Sequence, residues 1–419
     1  MRRRVSTKRA PEVSLPEAPD TAADPSGAPP PLRFSRSLLA LILGQVSLHS
    51  CMTGVRVAAP LQLLAQGHSA PAVGLVLALF GISPVLQALW VGRLADRHGY
   101  HRPLMLAVAL AVLGASAAAL SSHWLALCVA ALLCGSAANM GLITIQRSAG
   151  QMGATAPERV RIFSWLGLAP ASSNVLGPVL TGLMIDAAGF RWAFGVLALL
   201  PLAALAWARQ VPHDAVPRQA PPSAGQPRPK AFDLFRLPGF RRVLMVNWAM
   251  STCWDLHAFL VPLLGHQRGF SASAIGTILG TFAAAVAGVR LIIPLLAHRL
   301  RETQVLGGAM LAAGTVMALY PWAPSAWAMG TCALALGLAQ GAVQPMIMSA
   351  LHHLTPDGRH GEAVALRSVT INVSSTSMPL LFGLAGGAVG ASALFWLMAA
   401  MLFGASRLTR RLAKDLGER

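Results

Sequence analysis

The sequence predicts an all-α membrane protein, twelve transmembrane helices in two pseudo-symmetric six-helix bundles. Three observations carry that expectation. Apolar side chains make up 55% of the 419 residues and charged ones only 11%, less than half the roughly 25% that a soluble domain carries. The apolar residues recur in runs of about 20, the length that crosses a bilayer as helix. Those runs fall into two groups whose sequences repeat. The strand alternation that would mark a closed barrel is missing, so the spans are helices.

Taken in order, residues 1–35 begin with Arg2, Arg3 and Arg4, but no apolar stretch follows, so the segment is not a signal peptide. Rich in Pro, Ala and mixed charge, it is expected to be a disordered cytoplasmic tail. The N-terminal bundle, 36–208, holds spans near 37–64, 72–91, 103–120, 125–145, 163–185 and 193–207. Residues 209–240 are broken by Pro212, Pro217, Pro221, Pro222, Pro227, Pro229 and Pro238 and are expected to form a cytoplasmic linker without helix. The C-terminal bundle, 241–406, holds spans near 243–264, 274–297, 305–319, 326–350, 363–386 and 391–404, and 407–419 is a cytoplasmic tail.

The halves repeat each other. HSAPAVGLVLALF (68–80) aligns without gaps on FSASAIGTILGTF (270–282) at an offset of 202, and Pro60 falls on Pro262. Pro178 and Gly182 fall on Pro379 and Gly383 at an offset of 201. Two homologous halves related along the membrane normal form a transport architecture, with the site between them near the midplane.

The net charge of +18 would suggest nucleic acid in a soluble chain. Here the Arg and Lys residues sit at span ends, mostly on the side of the termini and the linker, with only Arg191 and Arg268 opposite, so nucleic acid is not expected. The positive-inside rule places both termini in the cytoplasm of a multi-pass protein of the cell inner (plasma) membrane. Cys51, Cys128, Cys134, Cys253 and Cys332 form no Cys-x-x-Cys and read as small apolar packing residues. No metal site is expected at His352, His353 and His360, which lack a further ligand cluster.

An ionisable group inside hydrocarbon costs roughly 2.5–3.5 kcal/mol on insertion scales and is therefore a functional candidate. Asp255 is the one carboxylate far from both ends of a span, with Trp254 and His257 beside it. It can serve in proton coupling or substrate contact, or lock helices by pairing with Arg56 or Arg290. Arg56 is expected to meet an anionic group in the pathway, and Arg290 to snorkel to the cytoplasmic interface. Gln45, His49, Asn139, Asn174, Asn247, Gln340, Gln344 and Asn372 are mid-span polar residues that line a cavity or bond to neighbouring helices. Trp254 and Phe259 are candidates to stack on a substrate.

Between spans 2 and 3 runs GRLADRHGYHR, Gly92 to Arg102. It resembles the G-x-x-x-D-R-x-G-R-[RK] signature of the major facilitator superfamily, at the position that the superfamily gives it. The resemblance implies that Gly92, Asp96, Arg97, Gly99 and Arg102 hold the cytoplasmic side closed and release it during alternation. On physical grounds Gly92 would let two helices approach closely and Asp96 would face a helix N-terminal dipole. Tyr100 and His101 stand where two basic residues are usual, and the second half keeps only the remnant His298-Arg299-Leu300-Arg301. Span 5, with Ser164, Ser173, Gly177-Pro178 and Thr181-Gly182, partly matches the family's antiporter motif, although span 4 has Ala131, not Arg, four residues before Gly135.

The resemblance, to bacterial drug and metabolite exporters, implies a secondary active transporter working by alternating access. Proton-coupled export of a small organic compound is the leading expectation and proton-coupled uptake the alternative. Its partners would be a small-molecule substrate, protons and the lipid bilayer, with the chain a monomer and no cofactor required. No G-x-x-x-x-G-K-[ST] appears, so the driving force would be an ion gradient and not nucleotide hydrolysis. A membrane-embedded lipid-handling enzyme, the distant alternative, would need a nucleophile or ligand cluster that the sequence does not show.

Overall fold

A chain crossing hydrocarbon must satisfy every backbone N–H and C=O internally, and a helix does so within one run. The computed structural model describes residues 35–152, 162, 165–212, 231–296, 301–356 and 359–417. The tail of residues 1–34, most of the linker, Ser164 and the stretch 298–300 lie outside them. The helices are α1 Arg36–Ala65, α2 Ala70–His98, α3 His101–Leu120, α4 Trp124–Met152 and α5 Leu168–Ala208. After the linker come α6 Pro238–Gln267, α7 Ala272–Leu296, α8 Glu302–Leu319, α9 Ala326–Gly341, α10 Val343–Leu354, α11 His360–Val389 and α12 Ala391–Asp415.

Among the described residues, nine helical segments are long and apolar enough to cross a membrane. One of them, α5, is 41 residues long and holds two crossings, parted at Gly189. Another joins α9 and α10 into one. α6 and α11 are 30 residues each but fall short in hydropathy. They carry Asn247, Asp255 and His257, and Arg367, Asn372, Ser374 and Ser375, polar side chains that lower it. Counted this way, the crossings match the expected twelve. Two details differ from the sequence expectation. A 3-10 turn, Ala231–Arg236, stands in the linker. α12 runs on through residues expected to be a tail, and its Asp415 is ion-paired to Arg242 at the start of α6.

Call the end where α5 stops and α6 starts the linker side, and the opposite end the far side. The repeat is written into the far-side turns, where Gly67 and Gly269 have φ of 79° and 72°, and Gly189 and Gly390 have φ of 82° and 83°. Each pair is separated by the repeat offset, and only glycine takes that conformation without strain.

The halves meet through two equivalent seams, α2 on α11 and α7 on α5. A β-carbon on Gly74 would collide with the Pro379 carbonyl, and one on Gly276 with the Pro178 carbonyl. Reciprocally, Gly383 closes on Ala70 and Gly182 on Ala272. Missing β-carbons thus let the helix backbones touch, as small residues do in membrane interiors. Asp186 reinforces the second seam, its two oxygens accepting the Ala272 and Ser273 N–H groups at 3.0 and 2.8 Å. It places a carboxylate on the positive N-terminus of α7 in the other half. Among the described residues, α4 makes no comparable seam with α9 or α10. The halves are therefore clasped on the far side.

Candidate functional site

The helix period sets which side chains converge. On α6, Asn247, Met250, Ser251, Trp254 and Asp255 follow i, i+3, i+4, i+7, i+8 and share one face. On α11, Arg367, Ile371 and Ser375 do the same at i, i+4, i+8, and Gln340, Val343 and Gln344 repeat the spacing across the α9–α10 break. These stripes, with Arg290 of α7 and Arg56 and Asn174 of the first half, line a central cavity of about 270 Å³. Two smaller cavities, of about 180 and 60 Å³, also touch Arg56. The first adds His49, Asn139 and Asn372, and the second is lined by Asn174, Trp254 and His257 among others.

Asp255 is buried and lies 3.6 Å from the Arg56 guanidinium, an ion pair joining α6 of one half to α1 of the other. The Ser375 hydroxyl donates to both of its oxygens, at 3.1 and 3.3 Å. Asp255 is the only carboxylate among the described residues lining the three cavities. Arg367 donates from Nε to Asn247 Oδ1 at 3.1 Å. Gln340 donates to the Met250 carbonyl at 2.9 Å.

Most of the sequence candidates therefore converge: Asp255, Arg56, Asn174, Trp254 and Gln340 on the main cavity, and Asn139 and Asn372 on its neighbour. His257 points elsewhere, its ring 3.0 Å from the Tyr320 hydroxyl and packed on Phe282, with only the smallest cavity beside it. Phe259 is fully buried against Phe382 and lines none of these three cavities, because it lies on the core side of α6. Gln45 is likewise buried inside the first half. Arg290, expected at the interface, lies on the cavity wall with a buried Nε that has no hydrogen-bond partner. Arg367, Ser251 and Ser375 were not singled out from the sequence. Arg367 sits only a turn inside its span and reads there as an interface charge, yet the four-residue spacing to Ile371 and Ser375 was a usable signal.

The signature loop behaves differently from its expectation. Asp96 pairs with Arg147 of α4, within its own half, at 3.0 Å. Among the described residues nothing lies within 4 Å of a β-carbon placed on Gly92, so they make no close helix contact there with the far side clasped. Arg97 and Arg102 are exposed. Gly99, at φ 66°, ends α2 by donating its N–H to the Ala95 carbonyl. Tyr100, in place of a basic residue, is buried with its hydroxyl beside Gly44 of α1, and burial raises its phenol pKa. His101 contacts the Ala208 carbonyl at 3.2 Å. The unusual pair thus ties the loop to α1 and α5. In the span 5 motif, Gly177 packs on Thr53 and Gly54 of α1, while Pro178 and Gly182 form the α7 seam. The described residues contain no group of three or more His, Cys, Asp or Glu able to hold a metal.

A two-half helical bundle closed at one end around a charged central cavity defines a membrane transporter. The sequence matches the Major Facilitator Superfamily over residues 41–335 and again over 243–414, and the chain belongs to that family. It is a multi-pass transporter and not an enzyme. In fold it is similar to a peptide transporter POT in complex with sulfate, with 14% identity and a TM-score of 0.75 over 93% of this chain and 97% of that one. It is also similar to a bacterial homolog of the human lysosomal transporter Spinster in an inward-facing, occupied conformation (13%, TM-score 0.74, 91% and 97%). The nucleoside transporter NupG (D323A mutant) is comparable, at 14% and 0.73 over 90% and 100%. No protein of curated function matches the chain in sequence.

Proposed function

We propose that the chain is a secondary active transporter that works by alternating access and exports a small organic compound in exchange for protons. The observation that carries this reading is the Asp255–Arg56 pair, a buried carboxylate of one half held by a guanidinium of the other. Ionised Asp255 ties α6 to α1 and accepts from Ser375. A proton on it removes the charge attraction and frees Arg56, so proton occupancy is linked to how the halves sit around the cavity. With the linker side in the cytoplasm, as the Arg and Lys distribution supports, the clasped far side faces outward. The cavity then loads from the cytoplasm.

A second reading, uptake by proton symport, has one observation in its favour. Gly177, Pro178 and Gly182 are all engaged in helix packing, so nothing in α5 reserves the chain for antiport. Flux in proteoliposomes under an imposed pH gradient separates the two, since export and uptake respond to opposite gradient directions. In either case Asp255→Asn keeps the shape and hydrogen-bonding capacity but abolishes proton-driven accumulation, while the protein still inserts. Unchanged flux and pH dependence in that variant would remove Asp255 from the coupling.

A further inference from the structure

Inside the cavity the charges do not balance. Three guanidiniums, those of Arg56, Arg290 and Arg367, face one carboxylate, Asp255. The carboxylate is committed to Arg56, and among the described residues no acid lies within ion-pair distance of Arg290 or Arg367. The two unpaired arginines belong together. Both line the same cavity and stand toward the linker side, Arg290 near the end of α7 and Arg367 near the start of α11. Arg367 is 9% exposed, and the Arg290 Nε is buried without a partner. Two like charges held this way in a membrane interior are costly unless something negative completes them.

Their level in the protein is distinct from that of the Asp255–Arg56 pair. Asn247, which holds Arg367, is two helical turns before Asp255 on α6, about 12 Å along the axis. Arg367 is the same number of residues before Ser375 on α11. The cavity therefore has two poles, one neutralised and one doubly positive. Trp254 and the amides of Asn174, Gln340 and Gln344 complete its lining.

We infer that Arg290 and Arg367 form an oxyanion-binding subsite, and that the transported solute is a small organic anion carrying a carboxylate or phosphate group. Guanidinium forks match such oxyanions with paired, charge-assisted hydrogen bonds. The Nε of Arg290, buried and without a partner, leaves that guanidinium's hydrogen-bonding capacity unfilled at the cavity wall. At about 270 Å³ the cavity is just under the range of drug-sized pockets, which fits a small metabolite. This inference rests on the transporter reading, and its test keeps the two separable.

The test uses the purified full-length chain in phosphatidylcholine nanodiscs. Thermal unfolding is followed as inorganic phosphate or succinate is added, with chloride at equal ionic strength as reference. A specific oxyanion raises the apparent stability and saturates, whereas a general salt effect does not saturate. Arg290→Gln and Arg367→Gln are expected to weaken the apparent Kd roughly tenfold or more. Arg290→Lys restores part of it, and Arg407→Gln, an exposed site on α12, leaves it unchanged. No saturable response to either probe in the wild type overturns the subsite, as does an identical response in Arg290→Gln. Should the Gln variants fail to fold, the wild-type titration and Arg290→Lys still decide. Discs containing phosphatidylglycerol distinguish a lipid headgroup: an unchanged Kd supports a free solute, and competition overturns that assignment. Counterflow of the bound probe completes the comparison. Binding without flux leaves the subsite and overturns the claim that its ligand is the transported solute, and flux of a neutral or cationic solute untouched by Arg290→Gln overturns the subsite's part in transport and leaves the transporter reading.

Discussion

Substituting Gly276 by alanine tests the far-side clasp most directly. A β-carbon there would collide with the Pro178 carbonyl oxygen and lie 3.0 Å from its carbon and 3.4 Å from the Gly182 Cα. All three are backbone atoms of a packed helix, so no side chain can swing aside. Inserting a methyl into such a contact costs about 1–3 kcal/mol. That cost falls only on the conformation in which α7 touches α5, so it shifts the population toward the far-side-open form by roughly 5- to 150-fold. The pseudo-symmetric position gives an internal check. Gly74→Ala opposes the same closure through Pro379, and the two costs should add because the seams share no partners. Spin labels at His68→Cys and His266→Cys, both exposed on the far side, would report the separation in a background without the five native cysteines. Longer distances gain population in each single variant and gain more in the double. Gly92→Ala, whose β-carbon meets nothing within 4 Å among the described residues, leaves this far-side distribution unshifted or more closed. Distance distributions in Gly276→Ala and the double variant that match the parent would refute the clasp.

Two further outcomes follow from the same geometry. Asp186→Asn removes the charge from the N-terminus of α7 but keeps its shape, so it weakens the far-side seam by about 0.3–1 kcal/mol. The same spin-label pair would show it as a smaller shift in the same direction, and no shift would mean that Asp186 does not hold the seam. Tyr320→Phe leaves the buried His257 ring nitrogen without the hydroxyl now 3.0 Å away, which should lower stability by about 1–3 kcal/mol. Denaturant unfolding in detergent measures this, and a change below about 0.5 kcal/mol would show that the pair contributes little.

Much of the fold was legible because a bilayer leaves so few options. Long apolar runs had to be helices, and their count survived even where α5 merged two of them and Ala342 split another. The repeat was legible too, and its physical sense lies in the seams: Gly74 and Gly276 align in sequence because each presses a proline carbonyl of the opposite half. The site was legible in part. Asp255 stood out because a carboxylate in mid-span has no cheap explanation, and Asn174, Gln340 and Trp254 joined it. Arg367 and Arg290 did not stand out, since an arginine within a turn or two of a span end looks like one that reaches the interface.

By itself the sequence determined the number of crossings, the duplicated halves and the presence of one intramembrane acid, because hydrophobic length and charge cost act on each segment separately. Only the tertiary structure decided which face each helix turns inward. It set Asp255 against Arg56, left Arg290 and Arg367 without an acid among the described residues, and assigned Tyr100, His257 and Gly177 to packing. Those outcomes depend on the rotation of one helix against another, which is set by contacts between residues far apart in the chain and not by any local pattern.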